Sequence, residues 1–213
     1  MSSEWWQVPA ARADLEHALC NLNAFNSSPP EGLTAHFCEL CEVLTDLLGT
    51  AARCTVTAEE DEVIGGLQAR LERRLSTTTY VDQQAIDKLE ALAGSIVRSL
   101  LAEPQEKLAV YGTLAPGEVN HGVVADIVGR WTEGFVRGDL QTLEWGAGLG
   151  LPVLVWRPAG PRVPVALLSS HDLVDHWQRL DRFEGPGYRR ILVPVEDDHE
   201  VVAVANLYAA RGA

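Results

Sequence analysis

The feature that most constrains the fold of this chain is a change of pattern close to residue 107. Before it, apolar side chains recur every three to four positions, as in amphipathic helices, and Gly is sparse. After it, Gly and Pro recur every few residues and the apolar runs shorten to strand length. The stretch 107–120, KLAVYGTLAPGEVN, reads as a short strand, Leu108 to Tyr111, that breaks into a Gly-rich turn. The sequence therefore predicts an α+β chain, with an all-α helical bundle domain over residues 1–104 and a small mixed β-barrel domain over residues 105–213.

Four segments of the first domain have the periodicity of amphipathic helices. We predict them from about Pro9 to Phe25, from Leu33 to Leu48, from a cap at Thr57 through Leu75, and from Asp82 to a point before Pro104. Gly49 is interpreted as the stop of the second helix, and Thr57 followed by Glu60 is a capping box that starts the third. The apolar stripe of the fourth helix is predicted at Ile86, Leu89, Ala93, Ile96 or Val97, and Leu100. Four such helices with short connections are typical of a small bundle.

The cysteines of this domain raise the question of a metal or redox site. Cys38 and Cys41 have the C-x-x-C spacing, and the further candidate ligands are Cys20, Cys54, His17 and His36. Zinc sites ordinarily combine two closely spaced ligand pairs, and this sequence has one such pair. Cys41 also falls on the apolar stripe of its helix, where a free thiol behaves as a small hydrophobe. We therefore predict no metal and no cofactor.

The charge of the chain argues against a nucleic-acid partner. Its formal net charge is −13, with 16 acids and 7 bases in residues 1–105 against 14 acids and 10 bases in residues 106–213. A phosphate backbone requires clustered Lys and Arg instead. No apolar run approaches the roughly 18 residues that span a bilayer. Residues 1–18 lack the basic and apolar regions of a secretory signal. We therefore expect a cytoplasmic protein with reduced thiols and no membrane association.

The second domain is predicted to contain six strands and one helix. The strands are expected at Leu108–Tyr111, Gly134–Thr142, Pro152–Trp156, Val163–Leu168, Tyr188–Val195 and Val201–Tyr208, and the helix at His171–Phe183. Turn residues separate them, among them Ala147-Gly148, Gly185-Pro186-Gly187 and Asp197-Asp198-His199. So many short strands in a domain of this size indicate a barrel that holds one pocket, with loops around its mouth.

Three blocks of the second domain resemble a known family. They are Tyr111-Gly112-Thr113-Leu114 with Gly117 and Asn120-His121, then Leu180-Asp181-x-Phe183-Glu184-Gly185 with Tyr188-x-Arg190, then Ala205-Asn206-Leu207-Tyr208. In this order and spacing they resemble the gamma-glutamylcyclotransferase family, and most of all its branch of gamma-glutamylamine cyclotransferase and avirulence-induced-gene-like proteins. The resemblance covers about residues 107–210 and leaves the helical domain outside.

The resemblance implies an enzyme, a transferase or lyase, that acts on a small molecule bearing a γ-glutamyl group. The α-amine of the substrate attacks its own γ-carbonyl, closes a five-membered ring and expels an amine, so the products are 5-oxoproline and a free amine. No metal, nucleotide or water is consumed. In the branch directed at glutathione and dipeptides a Ser usually follows the first Gly, whereas this chain has Thr113. A γ-glutamyl amine or amide is therefore the expected substrate.

Glu184 is the expected catalytic residue, because the resemblance places it at the general acid/base position of the family. It stands between an amphipathic helix and a Gly-Pro-Gly turn, which fits a place at a barrel mouth. One carboxylate there can take a proton from the α-ammonium and return it to the leaving nitrogen. Asp181 is the nearest competitor, but it lies about one helical turn earlier and is expected to support the site.

The expected substrate-binding residues are Tyr111, Gly112, Thr113, Leu114 and Arg190. The family holds the glutamyl group with the loop that Gly112 begins, and consecutive amides in such a loop can form an anion-binding concavity. Tyr111 would line the pocket with its ring or donate through its hydroxyl. Arg190 would neutralise the substrate carboxylate, or instead brace Glu184 or an outer turn.

Two alternatives to this assignment stay open at the level of sequence. The barrel could be a non-catalytic binding or scaffold module that keeps the fold, and the helical domain could mediate homo-oligomerisation or dock a protein partner. Trp5 and Trp6 are expected to pack against the core, with docking on a partner as the alternative. His171 and His176 do not suggest a metal site, because a spacing of five places them on different faces of one helix.

Overall fold

A computed structural model of the chain describes residues 5–55, 57–142, 152–198 and 200–211. It consists of two compact units, residues 1–103 and residues 104–213, each with its own apolar core. Within the described ranges, no helix combines the length and the apolar character needed to cross a membrane.

The first unit is a bundle of α-helices in which the second helix contacts the other three. The described helices are α1 (Arg12–Ser27), α2 (Leu33–Cys54), α3 (Ala58–Thr77) and α4 (Gln83–Leu100). α2 packs against α1, α3 and α4, which makes it the centre of the bundle. Leucines dominate the buried faces, among them Leu19, Leu44, Leu71 and Leu89. Each buried leucine contributes about 1.5–3 kcal/mol of transfer free energy, so the predicted stripes account for the association of the helices.

The capping box predicted at the start of α3 is confirmed by its hydrogen bonds. The Thr57 hydroxyl oxygen accepts from the Glu60 amide at 3.2 Å, and the Glu60 carboxylate accepts from the Thr57 amide at 3.2 Å. Asp82 caps α4 by accepting from the Ala85 amide at 2.8 Å. Trp5 and Trp6 are buried in this unit, as expected for packing against the core.

Three details of the helical prediction are wrong. α2 does not stop at Gly49 but continues to Cys54. The added turn buries Thr50 and Ala51, and this burial outweighs the roughly 1 kcal/mol cost of a glycine inside a helix. On α4 the buried side chain is Leu92 rather than Ala93, because the larger apolar side chain gains more from burial. Leu75, expected on the stripe of α3, is exposed in the last turn of that helix.

Cys41 has the character of a core residue rather than a reactive thiol. It is half-buried on α2, whereas Cys38 is exposed. Burial, together with Cys38 and Glu42, raises the pKa of the Cys41 thiol to about 11. The thiol is therefore protonated at neutral pH, and a thiolate is the form that attacks disulfides or binds metals.

The second unit is a closed, mixed barrel of five strands with one extra strand outside the ring. The strands are β1 (Lys107–Val110), β2 (Arg130–Thr142), β3 (Pro152–Trp156), β4 (Arg162–Ser169), β5 (Tyr188–Glu196) and β6 (Val201–Ala210). The ring runs β2-β4-β1-β6-β5 and closes where Phe135 of β2 pairs with Glu196 of β5. β1 and β6 are parallel, the other neighbours are antiparallel, and β3 pairs with β2 alone in the described sheet. The predicted α+β class, with its mixed barrel, is confirmed.

β1 joins two apolar clusters, because alternate side chains of a strand point to opposite faces. Ala109 belongs to the cluster that the barrel strands share, with Val193 and Leu207. Leu108 and Val110 belong to a second cluster that includes residues of the helix α5 (Leu173–Glu184). Packing on both faces fixes β1, and with it the start of the loop that follows.

The predicted strands are all present, and the differences lie at their ends. The largest is at β2, which begins at Arg130 rather than at Gly134, and β6 continues past Tyr208 to Ala210. The predicted helix at 171–183 is α5, displaced by one or two residues at its ends. The turn predicted at Ala147-Gly148 and the His199 end of the turn at 197–199 lie outside the described residues.

Candidate active site

The loop after β1 is held through its carbonyl oxygens, which leaves its amides available. The carbonyl oxygens of Gly112, Thr113 and Leu114 lie 3.0 Å from the Ala115 amide, the Asn120 amide and His121 Nδ1, respectively. In the part of the chain that the structure describes, the amides of Gly112, Thr113 and Leu114 have no hydrogen-bond acceptor. Adjacent free amides are the donors that an anion or a developing oxyanion requires.

Glu184 is the last residue of α5, and the glycine after it ends the helix. Gly185 has a φ of 72°, and its amide donates to the Asp181 carbonyl oxygen at 3.1 Å. This left-handed cap favours glycine, because a β-carbon is strained there. Leu173 and Leu180 are fully buried on the apolar face of the same helix. The position of the Glu184 carboxyl is therefore set by the cap on one side and by helix packing on the other.

Glu184 and the loop after β1 line one cavity. Its volume is about 50 Å³, and its walls are formed by Leu108, Ala109, Val110, Tyr111, Gly112, Thr113, Leu114, Glu184, Tyr188 and Tyr208. An open cleft of about 900 Å³ shares the wall Val110–Thr113 with this cavity. Four carboxylates, of Glu118, Glu133, Asp197 and Asp198, lie along that cleft. A ligand can thus place one end in the cavity and the remainder in the cleft.

Burial changes the acidity of Glu184. It raises the pKa of the carboxyl from 4.5 to about 7. No hydrogen bond from any described residue reaches this carboxylate, so nothing offsets the loss of water around its charged form. At neutral pH both protonation states are therefore populated, as a group that accepts and then returns a proton requires.

The three tyrosines of the cavity differ in what their hydroxyls do. Tyr111 donates to the Tyr208 carbonyl oxygen at 2.9 Å and accepts from the Leu154 amide at 3.1 Å. Its hydroxyl is thus used within the barrel, and its ring remains to line the cavity. The Tyr188 hydroxyl forms no hydrogen bond with any described residue, which leaves it able to donate to a ligand. Burial raises the pKa of Tyr188, and the charge of Glu184 adds to the rise.

The comparison with protein-family models identifies the barrel. The model described as gamma-glutamyl cyclotransferase, AIG2-like matches residues 108–212. The barrel domain belongs to this family. The resemblance drawn from the three sequence blocks is confirmed, and the helical unit lies outside the matched residues.

Three solved structures are similar to this chain. The AIG2-like protein of Mus musculus is 22% identical, over 51% of this chain and 78% of that chain, with a TM-score of 0.41. YkqA of Bacillus subtilis is 27% identical, over 50% of this chain and 36% of that chain, with a TM-score of 0.38. A variant allophanate hydrolase of Kluyveromyces lactis is 10% identical, over 99% of this chain and 53% of that chain, with a TM-score of 0.41. A search of curated proteins gave no match.

Arg190 lies beside the cavity of the cyclotransferase domain rather than in its wall. Its guanidinium contacts both carboxylate oxygens of Asp181, at 3.0 and 3.3 Å, and stacks over the ring of Trp177 at 4.4 Å. Asp181 also accepts from the Tyr208 hydroxyl at 2.7 Å. These contacts tie α5 to β5 and β6. The partner of Arg190 is thus Asp181 rather than Glu184, and Arg190 is not among the residues that line the cavity.

The structure brings most of the residues singled out in the sequence together. Glu184, Tyr111 and the loop 112–114 share the cavity, and Asp181 lies behind it in contact with Arg190. Sequence reasoning missed Tyr188 and Tyr208 as wall residues. Both residues belong to the sequence blocks that carry the resemblance. The signal that could have identified them is an aromatic side chain in the same blocks as the candidate acid/base residue.

Proposed function

We propose that the cyclotransferase domain cleaves a γ-glutamyl amine or amide and releases 5-oxoproline and a free amine. The observation that carries the proposal is the Glu184 carboxyl, with its pKa raised to about 7, facing the same cavity as the free amides of the loop 112–114. Family membership supports the reaction class. The open cleft beside the cavity offers room for the leaving amine.

In the first half of the reaction, ionised Glu184 takes a proton from the substrate's α-ammonium. The free α-amine then attacks the γ-carbonyl carbon, forms the new C–N bond of the five-membered ring and moves the carbonyl electron pair onto oxygen. The amides of Gly112, Thr113 and Leu114 donate to that oxyanion. Donors of this kind are typically worth a hundred- to thousand-fold in rate.

In the second half, protonated Glu184 returns its proton to the leaving nitrogen. The oxyanion collapses, the bond from the γ-carbon to that nitrogen breaks, and the amine departs toward the cleft. Ionised Glu184 accepts the second proton of the ring nitrogen and passes it to the released amine, which leaves as an ammonium ion, so Glu184 is ionised again. The wall of the cavity contributes by folding the glutamyl chain so that amine and carbonyl meet in a reactive geometry.

The deciding experiment is a product assay on the full-length protein. It would be incubated with a panel of γ-glutamyl amines, γ-glutamyl dipeptides and glutathione, and 5-oxoproline would be measured by chromatography. We expect 5-oxoproline and an equal amount of free amine from at least one γ-glutamyl amine, and formation at least about a hundredfold slower in the Glu184→Gln variant. Silence across the whole panel would instead support the binding-module alternative.

A further inference from the structure

A groove on the helical unit is lined by most of the basic residues of that unit. Its volume is about 450 Å³, and it lies between α3 and α4. Arg70, Arg73 and Arg74 of α3 and Lys88 of α4 line it, together with Ala91 and Leu92. Leu92 is buried, so the groove combines cationic walls with an apolar floor.

These four cations have no acidic partner in the described part of the chain. None of them forms an ion pair there, although ion pairs are present elsewhere in the same unit, such as Arg12 with Glu16. Arg70 contacts a neutral hydroxyl, that of Ser95, at 3.4 Å. The Nε atom of Arg74 is buried and has no hydrogen-bond partner among the described residues. A buried guanidinium N–H without an acceptor is costly unless a ligand supplies one.

The helical unit is acidic overall, so a cluster of bases without acidic partners among the described residues is unexpected there. Residues 1–105 carry 16 acids and 7 bases, and four of those bases line the one groove. A solvated surface of this composition would pair cations with the abundant carboxylates. Grouping them without a counter-charge costs mutual repulsion, which a bound anion removes.

The helix dipole explains part of this pattern and leaves the rest unexplained. Arg73 and Arg74 lie close to the C-terminus of α3, where cations are favoured by the negative end of the dipole. Arg70 lies before the last turn of α3 and Lys88 lies beyond the first turn of α4, so the dipole accounts for neither. What the four basic residues share is that all of them line the groove.

We propose that this groove binds a small organic anion through its phosphate or carboxylate group. Guanidinium forks match both oxyanions in geometry and form charge-assisted hydrogen bonds with them. The volume of the groove exceeds that of a single oxyanion, and its floor at Leu92 favours a ligand with an apolar body. The helical unit is thereby a second ligand-binding unit, independent of chemistry at Glu184.

The test uses calorimetric titration of the full-length protein at low salt with two matched probes, phenyl phosphate and phthalate. Each probe carries an aromatic ring, so the two differ in whether the charge is phosphate or carboxylate. We expect saturable binding of at least one probe, weakened by added sodium chloride because screening acts on the charges. Inorganic phosphate, which lacks the ring, is expected to bind more weakly.

Two variants give the test its specificity. Arg74→Gln is expected to weaken probe binding about tenfold or more, because a charge-assisted hydrogen bond is lost. Arg98→Gln removes an exposed base of α4 outside the groove and is expected to leave binding unchanged. If Arg74→Gln does not fold, Lys88→Gln at an exposed position of the groove replaces it. Absence of saturable binding for both probes, or an equal loss in Arg98→Gln, would overturn the proposal. Neither readout depends on 5-oxoproline formation.

Discussion

Glu184 and Gly112 line the same cavity, although one ends helix α5 and the other follows strand β1. The glutamate supplies a carboxyl that can exchange a proton near neutral pH, and the glycine begins a loop with free amides. The proposed reaction needs both groups, because proton transfer and oxyanion stabilisation have to act on the same bound substrate.

Replacing Glu184 with glutamine should abolish the proton transfers. Because general acid–base catalysis contributes about a hundred- to ten-thousand-fold, we expect kcat/KM to fall by that order in Glu184→Gln. Steady-state 5-oxoproline formation measures this. Asp175→Asn is the matched control, since it makes the same chemical change on α5 outside the cavity wall. Equal losses in both variants would contradict the role of Glu184.

The rate should depend on pH through the Glu184 carboxyl. The ionised form accepts the proton from the α-ammonium, and burial raises the pKa of this carboxyl to about 7. We therefore expect kcat/KM to rise with pH and to level off above about 7. A pH–rate profile on the best substrate checks this, and a limb centred near 4.5, the pKa of this carboxyl without burial, would show that burial does not act as inferred.

The same burial should make Glu184 destabilising at high pH. Its pKa is 4.5 without burial and about 7 in the folded protein, so between these values the folded state holds a proton that the unfolded state has lost. The contribution of Glu184 to the free energy of unfolding is therefore largest below pH 4.5, falls as the pH rises from 4.5 to about 7, and stays low above that. Glu184→Gln should gain up to about 3 kcal/mol relative to the parent on going from pH 4 to pH 8. Urea unfolding of both proteins at the two pH values measures the gain, and an unchanged difference would argue against a raised pKa.

Removing the hydroxyl of each tyrosine that lines the cavity near Glu184 should have a different effect, on catalysis for Tyr188 and on stability for Tyr208. The Tyr188 hydroxyl has no partner in the described residues, so Tyr188→Phe should lower kcat/KM about two- to tenfold with little change in the free energy of unfolding. The Tyr208 hydroxyl donates to Asp181 at 2.7 Å, so Tyr208→Phe should cost about 1 kcal/mol of stability. Kinetics and thermal unfolding on both variants test the contrast. Loss of stability in Tyr188→Phe would show that its hydroxyl has a structural partner.

Gly112 should be required for ligand approach rather than for folding. A β-carbon built at Gly112 meets no protein atom within 4 Å, so Gly112→Ala should leave stability within about 0.5 kcal/mol. Because Gly112 lines the cavity, the added methyl group should raise KM or lower kcat/KM about tenfold or more. Gly122→Ala is the control, since a β-carbon there is equally unhindered and the residue lines neither cavity nor cleft. Unchanged kinetics in Gly112→Ala would remove the loop from the substrate site.

The sequence by itself determined the elements and the class of the fold. Local rules sufficed for the Thr57–Glu60 box, because its contacts join residues close in the chain. They also located the change near residue 107, where an apolar repeat of about 3.6 residues gives way to short, strand-like apolar runs. The three blocks pointed to Glu184 and to the loop 112–114, since a family's site residues recur in fixed order along the chain.

Tertiary structure decided what depends on packing across distant segments. Only the parallel pairing of β1 with β6, two strands far apart in the chain, brings Tyr208 into the wall of the cavity that Glu184 also lines. The pairing of Arg190 with Asp181 is likewise tertiary, because spacing alone could not assign that partner. The extension of α2 past Gly49 followed from burial of Ala51, where packing energy exceeded local propensity. The raised pKa of Glu184 has the same origin, because burial is a property of the assembled barrel and not of any one stretch of sequence.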